Sequence, residues 1–401
     1  MKVDRRQFGA MLLGGAAVLL PGCSQEDRRT PTDHENLAAQ RRAERAGAGA
    51  GRYGSQRYAG YRDLARLPWY ELDSEGRLRC VDPEVPHGID IHAHLGMSLL
   101  FAPALDLQTR TTRVEYMLDC DGRHPALPFD LDVYANANFD DAELSELRWG
   151  AVRQLTVGSG RAETQTLPNL LAEMNDCRIE RACLLPIAFG LPFGDDLTQN
   201  WLGAIEESTN PTRFIPGASV HPRDPGALDQ LREFSERGCR IVKLHPGAQR
   251  FYPDEPEAMS IYEACNRLGL VVFFHAGRAG IEPEIAQQYN LVRFLEPALA
   301  EFPGLQVVLG HAGARDVAEA IPLAQRYPNA WLGIHGQSIS QLGELIDAVD
   351  NRRLLFGSDW PFYPLATSQA KVLIVSEHNP ELRTNLLREN AQHLFDRATA
   401  A

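Results

Sequence analysis

The stretch Gly88-Ile89-Asp90-Ile91-His92-Ala93-His94-Leu95-Gly96 decides how the rest of the 401-residue chain is read. A short apolar run ends in two histidines at i and i+2. Successive strand residues face opposite sides, so both imidazoles project to the same side. One cation can then be held by both, because imidazole is a common ligand for zinc and similar divalent ions. A surface His-x-His is the plain alternative, and the context must choose between the two.

Downstream, short apolar runs rich in β-branched residues alternate with stretches of helical period. Strands are predicted at 89–92, 182–187, 214–220, 240–244, 271–275, 305–309, 330–334 and 353–356. Helices are predicted at 167–175, 196–207, 226–237, 257–268, 284–301, 314–326, 340–347 and 379–395. Eight alternating units argue for an α/β fold whose parallel strands close into a (β/α)8 TIM-like barrel. An open doubly wound sheet is disfavoured, because no Gly-x-Gly-x-x-Gly turn opens a helix where that fold needs one. Residues 96–166 break the alternation and carry Arg110, Arg113, Tyr116, Tyr134, Asn136 and Trp149. This long insertion after strand 1 reads as a lid over the barrel mouth.

The chain begins differently. Asp4-Arg5-Arg6-Gln7-Phe8 and the apolar stretch to Leu20 read as a twin-arginine signal peptide over residues 1–22, too short to span a bilayer. Leu20-Pro21-Gly22-Cys23 resembles a lipobox, although its proline departs from the usual small residue. The expected place is therefore the periplasmic side, with a lipid anchor at Cys23. Residues 23–66 are polar, rich in Arg, Ala, Gly and Glu, and read as a flexible tether; residues 67–401 form the barrel.

The formal charge of −13 becomes −15 without residues 1–22, because Lys2, Arg5 and Arg6 outweigh Asp4 by two. That acidic balance disfavours nucleic acid and anionic membrane as partners. A small-molecule substrate remains, with membrane contact only through Cys23. Cys80, Cys120, Cys177, Cys183, Cys239 and Cys265 are scattered without Cys-x-x-Cys spacing. Export permits disulfides among them, but spacing sets no pairing.

Seven of the twelve histidines fall at or just past the carboxyl ends of predicted strands: His92, His94, His221, His245, His275, His311 and His335. In a barrel those ends converge on the catalytic face. Asp359, in Phe356-Gly357-Ser358-Asp359-Trp360-Pro361, ends the eighth strand, which neighbours the first once the barrel closes. Its carboxylate offers a hard oxygen ligand and a proton acceptor. A helix-capping aspartate is the alternative.

In this order, Asp90-Ile91-His92-Ala93-His94, Lys243-Leu244-His245-Pro246, Phe274-His275-Ala276-Gly277, Gly310-His311-Ala312-Gly313 and the Asp359 segment resemble the amidohydrolase superfamily. Their phrasing is most similar to the amidohydrolase-related branch that includes aminocarboxymuconate semialdehyde decarboxylase and γ-resorcylate decarboxylase. The resemblance covers residues 86–397. It implies that His92, His94, His275 and Asp359 ligate a divalent metal, zinc or alternatively manganese, with His311 holding or shuttling the proton of bound water. Lys243 is the ambiguous residue: in binuclear members a carbamylated lysine on that strand bridges two ions. The branch resemblance favours one ion. His221, Arg223, His245 and His335 are candidates to line the substrate pocket.

The first functional expectation is a metal-dependent hydrolase, in which metal-bound hydroxide attacks an amide, ester or lactone carbonyl while Asp359 and His311 manage protons. The second is a lyase that decarboxylates an aromatic or unsaturated acid, which needs a cation for the carboxylate; Arg110, Arg113, Arg161, Arg223 and Arg250 are the candidates. A non-catalytic metal- or ligand-binding lipoprotein is the third. It gives His311 no task beside a complete ligand set.

Overall fold

A computed structural model describes residues 26–34, 37–122, 127–191 and 193–400. Contacts divide the chain into residues 1–35 and 36–401. In the first unit, Asp33 accepts the Thr30 hydroxyl at 2.8 Å within a polar turn. The expected signal peptide and Cys23 lie outside the described residues. No described helix is long and apolar enough to cross a membrane.

Among the described residues of the second unit, eight strands form one parallel sheet in chain order. They are β1 (Gly88–Ala93), β2 (Ile179–Leu184), β3 (Phe214–Ala218), β4 (Ile241–Leu244), β5 (Val271–His275), β6 (Val307–Gly310), β7 (Ala330–Gly333) and β8 (Leu354–Leu355). The ring closes between its ends. Ile91 N–H donates to Phe356 O at 3.1 Å, Asp359 N–H to His92 O at 2.8 Å and His94 N–H to Trp360 O at 2.6 Å. This is the expected (β/α)8 barrel. Every residue of β1 is buried, as a strand covered on both faces requires.

Strict alternation would put Ile89 and Ile91 on the side opposite His92 and His94. Yet both isoleucines join Ile241, Val271, Phe273, Val308 and Trp331 in the inner cluster, while both histidines line the cavity at the mouth. A register irregularity between Asp90 and Ala93 against β2 reconciles them. Such bulges re-aim side chains beside active sites.

The helices are α1 (Leu37–Gly47), α2 (Asp141–Val157), α3 (Leu167–Asp176), α4 (Leu197–Glu207), α5 (Ala227–Glu236), α6 (Pro256–Arg267), α7 (Glu296–Glu301), α8 (Val317–Arg326), α9 (Ile339–Ala348), α10 (Leu365–Val375) and α11 (Asn390–Ala400), with shorter turns between them. Ala391, Leu394 and Ala398 of α11 pack on the inner cluster and close the barrel's amino end.

Four expectations change. Residues 37–66 are packed rather than a free tether: Tyr58, Tyr61 and Leu64 are buried, and Arg41, Glu44 and Arg52 pair with Asp141, Arg315 and Asp347. Composition undercounted them, because a few anchors and cross-chain ion pairs suffice. Residues 96–166 contain α2, started by a capping box between Asp140 and Glu143. Helix α10 went unpredicted because Leu365–Ile374 are buried on all sides, which erases helical periodicity. The helix expected at 284–301 breaks where Leu291 turns extended (φ −60°, ψ 126°).

The loops after β5 and β6 touch. Gly277 has φ 77°, and a Cβ there would sit 1.8 Å from Gly313 O. Gly238 also has positive φ, but open space surrounds it. In denaturant titrations, Gly238→Ala is expected to cost about 1 kcal/mol, the left-handed strain alone. Gly277→Ala should cost at least about 3 kcal/mol, because backbone must also move; equal costs would refute this loop contact.

Candidate active site

Strand β1 and the loop after β8 bring the first donors together. His92 Nε2 and His94 Nε2 lie 3.7 and 3.6 Å from Asp359 Oδ1, and all three residues are buried. Asp359 takes left-handed backbone (φ 61°), as does His311 (φ 54°). Strain of this kind collects at functional sites.

Hydrogen bonds set the tautomers. His94 Nδ1 meets Leu185 O at 2.7 Å. A carbonyl only accepts, so Nδ1 carries the proton and Nε2 offers its lone pair. The backbone N–H of His311 donates to His335 Nε2, so that nitrogen is an acceptor and Nδ1–H of His92 donates to it at 2.6 Å, which leaves His92 Nε2 to accept from Lys243 Nζ at 3.1 Å. Burial holds the imidazoles of His92, His275, His311 and His335 well below their ordinary pKa and takes His245 to about 3. They are neutral, the form that binds metal. Burial also lowers Lys243 to about 7, against an upward pull from Asp359.

The donors of His92, His94 and Asp359 all lie within 4.8 Å of one another. A tetrahedral ion about 2.1 Å from each ligand holds its donors about 3.4 Å apart, so this set fits a divalent metal. His92, His311 and His335 form a second such group. There His335 Nε2 is already engaged by His92 and by the backbone N–H of His311 at 3.2 Å, which makes it a prop beneath the site. The fourth expected ligand, His275, belongs to neither group but lines the same cavity. Its ring stacks on His245 at 4.0 Å and lies 4.7 Å from that of His311.

His92, His94, Lys243, His245, His275, His311 and Asp359 share one cavity of about 320 Å³. Among the proposed pocket residues only His245 lines it. His221 donates to Gln249 O at 2.9 Å and accepts Arg223 N–H at 3.2 Å, closing a turn. Arg223 pairs with Glu255 at 2.9 Å, and His335 lies below the floor. Arg110 and Arg113 are turned to Pro168 O and to Asp119, and neither they nor Arg161, Arg223 or Arg250 belong to the cavity wall.

Sequence reasoning assigned no individual role to three residues. Asp90 accepts N–H groups of His92 at 3.0 Å and Ser358 at 2.9 Å. Tyr134 meets His311 Nδ1 at 3.1 Å through its hydroxyl. Arg148 of α2 is exposed at the rim of the cavity and has no hydrogen-bond or ion-pair partner among the described residues. Asp90 was visible as a charge inside an apolar strand; the other two carried no local signal.

A family model described as amidohydrolase matches residues 192–397, just over half of the chain. The chain belongs to the amidohydrolase family. It is 28% identical over 109 residues to dihydroorotases of Helicobacter pylori strains HPAG1 and G27, a match covering 25% of this chain and 32% of theirs. The match thus spans about a third of those curated relatives. Among solved structures, the fold resembles an uncharacterized TIM-barrel protein of Bordetella bronchiseptica (21% identity, TM-score 0.54, 78% of this chain and 99% of that one). It also resembles 5-carboxyvanillate decarboxylase of Sphingomonas paucimobilis (17%, TM-score 0.54, 77% and 99%). The corresponding enzyme of Novosphingobium aromaticivorans, solved with manganese, is a further match (16%, TM-score 0.52, 78% and 97%).

Competition against a chromogenic chelator checks the donor set of this amidohydrolase barrel. His94→Ala and Asp359→Asn should abolish tight binding of a divalent ion. His335→Asn, which disturbs only the partner of a ligand, should weaken it about 10–100-fold. Native affinity in both ligand variants would overturn the assignment.

Proposed function

We propose that this amidohydrolase is an exported metal-dependent hydrolase of an amide, ester or lactone, working with one zinc ion or alternatively manganese. The observation that carries the reading is the buried Asp359 carboxylate, whose Oδ1 lies 3.7 and 3.6 Å from Nε2 of His92 and His94, at the base of a largely apolar cavity. When bound, the ion would polarise a carbonyl and acidify water. Asp359 accepts a proton from the attacking water as the new C–O bond forms, and returns it to the leaving nitrogen or oxygen as the old bond breaks. His311 hydrogen-bonds the carbonyl oxygen as charge grows there. Leu147, Ala151, Val152 and Leu155 of α2 exclude bulk water, and the insertion acts as a lid.

Decarboxylation of an aromatic or unsaturated acid is the second reading. Arg148 favours it, because an exposed guanidinium at the rim of an otherwise apolar cavity can meet a substrate carboxylate, and two similar folds belong to enzymes that decarboxylate 5-carboxyvanillate. The twin-arginine pattern and Cys23 support a periplasmic, lipid-anchored location; fractionation of full-length protein against Cys23→Ala tests it.

Metal analysis is expected to give about one equivalent per chain. Esters, lactones and N-acyl compounds are then screened against carboxylated phenols. Asp359→Asn should lower kcat about 10²–10⁴-fold, while Arg148→Met should raise KM for carboxylated substrates about 10–100-fold at nearly constant kcat. CO₂ release without hydrolysis would replace the first reading by the second.

A further inference from the structure

The amino-terminal helix α1 reaches the chemistry through a chain of three contacts. Glu44 of α1 pairs with Arg315, whose side chain is 1% exposed. The second carboxylate oxygen of Glu44 is buried without a partner among the described residues, so its charge is spent on that one guanidinium. Arg315 also donates to Asn136 Oδ1 at 2.7 Å and to Ala279 O at 3.2 Å. Its guanidinium lies over the Tyr134 ring, 4.9 Å from the centroid. The Tyr134 hydroxyl meets His311 Nδ1 at 3.1 Å. On the same helix, Arg41 pairs with Asp141 at the start of α2 and donates to Gly280 O, past β5, at 3.4 Å.

Taken with the hydrolase reading, on which this rests, the geometry points to Glu44, Arg315 and Tyr134 as positioning residues that fix which nitrogen of His311 carries its proton. A cation over an aromatic face draws electron density from the ring, which makes the phenol a better donor. Tyr134 O–H therefore donates to Nδ1, and a neutral imidazole that accepts at Nδ1 carries its hydrogen on Nε2. His311 meets the substrate oxygen as a donor. Its backbone is pinned as well: N–H donates to His335 Nε2 at 3.2 Å, and the carbonyl accepts Gln337 Nε2. Glu44 acts three contacts away, by holding the guanidinium over the phenol ring.

Full-length protein labelled with ¹⁵N-histidine and loaded with zinc tests this without a substrate. His311→Asn assigns the His311 signals by their loss. In native protein the His311 proton should sit on Nε2. Tyr134→Phe, which removes only an oxygen, should mix the tautomers so that the two nitrogen signals converge; Glu44→Gln should move them the same way by a smaller amount, and Glu44→Asp should restore part of the shift. With a turned-over substrate, Glu44→Gln should lower kcat about tenfold at constant KM. A proton on Nδ1 in native protein, or signals unmoved by Tyr134→Phe and Glu44→Gln, would overturn the inference. If the tautomer shifts appear but no hydrolysis is found for any substrate, the positioning stands and the hydrolase reading alone falls.

Discussion

One buried carboxylate organises the seam at which the barrel closes. Asp90 is fully buried, and burial pushes its carboxyl up to about 7 even though hydrogen bonds from Ser358 and His92 pull it down. A buried carboxyl is tolerated only where donors surround it. Its oxygens take the His92 N–H, the Ser358 N–H and the Ser358 hydroxyl at 3.0, 2.9 and 2.5 Å. These residues neighbour the two arms of the donor set: His92 on β1 with His94 just past it, and Asp359 after β8. The backbone bonds from Asp359 to His92 and from His94 to Trp360 run across the same seam. The same contacts close the barrel and bring the donor set together.

Around that seam, low polarity sets the chemistry. Imidazoles crowded at the mouth with Lys243 close by cannot hold charge in a buried cluster, so they remain neutral donors and acceptors. The floor is a hydrogen-bonded stack, with His335 beneath His92 and His311. The upper wall comes from outside the repeating units: α2 of the insertion supplies apolar side chains and Arg148, and α1 is tied to it through Arg41 and Asp141. Parts that look peripheral along the chain therefore shape what can enter.

Local pattern carried much of the fold and part of the site. The strands ending in His92, Lys243, His275 and His311 were legible because short apolar runs between Pro and Gly joints leave few alternatives. Helix α10 was not, since a helix buried on every side has no polar face to mark its period. The packing of residues 37–66 was missed for a related reason: Glu44 looks like a solvated charge until the buried Arg315 is seen beside it. His221 and Arg223 looked like pocket residues by position, but their own turn and Glu255 claimed them.

The sequence by itself determined the barrel and the strands at whose ends His92, His94 and Asp359 lie, because alternation and strand length are properties of neighbours along the chain and closure follows from ring order. Only the tertiary structure decided that His275 lies outside the close donor group, that a bulge turns both Ile91 and His92 inward, that Tyr134 and Arg148 line the cavity, and that Glu44 reaches it through Arg315. Their contacts join residues scores of positions apart. The energy of such contacts depends on distance and burial, which no local pattern encodes.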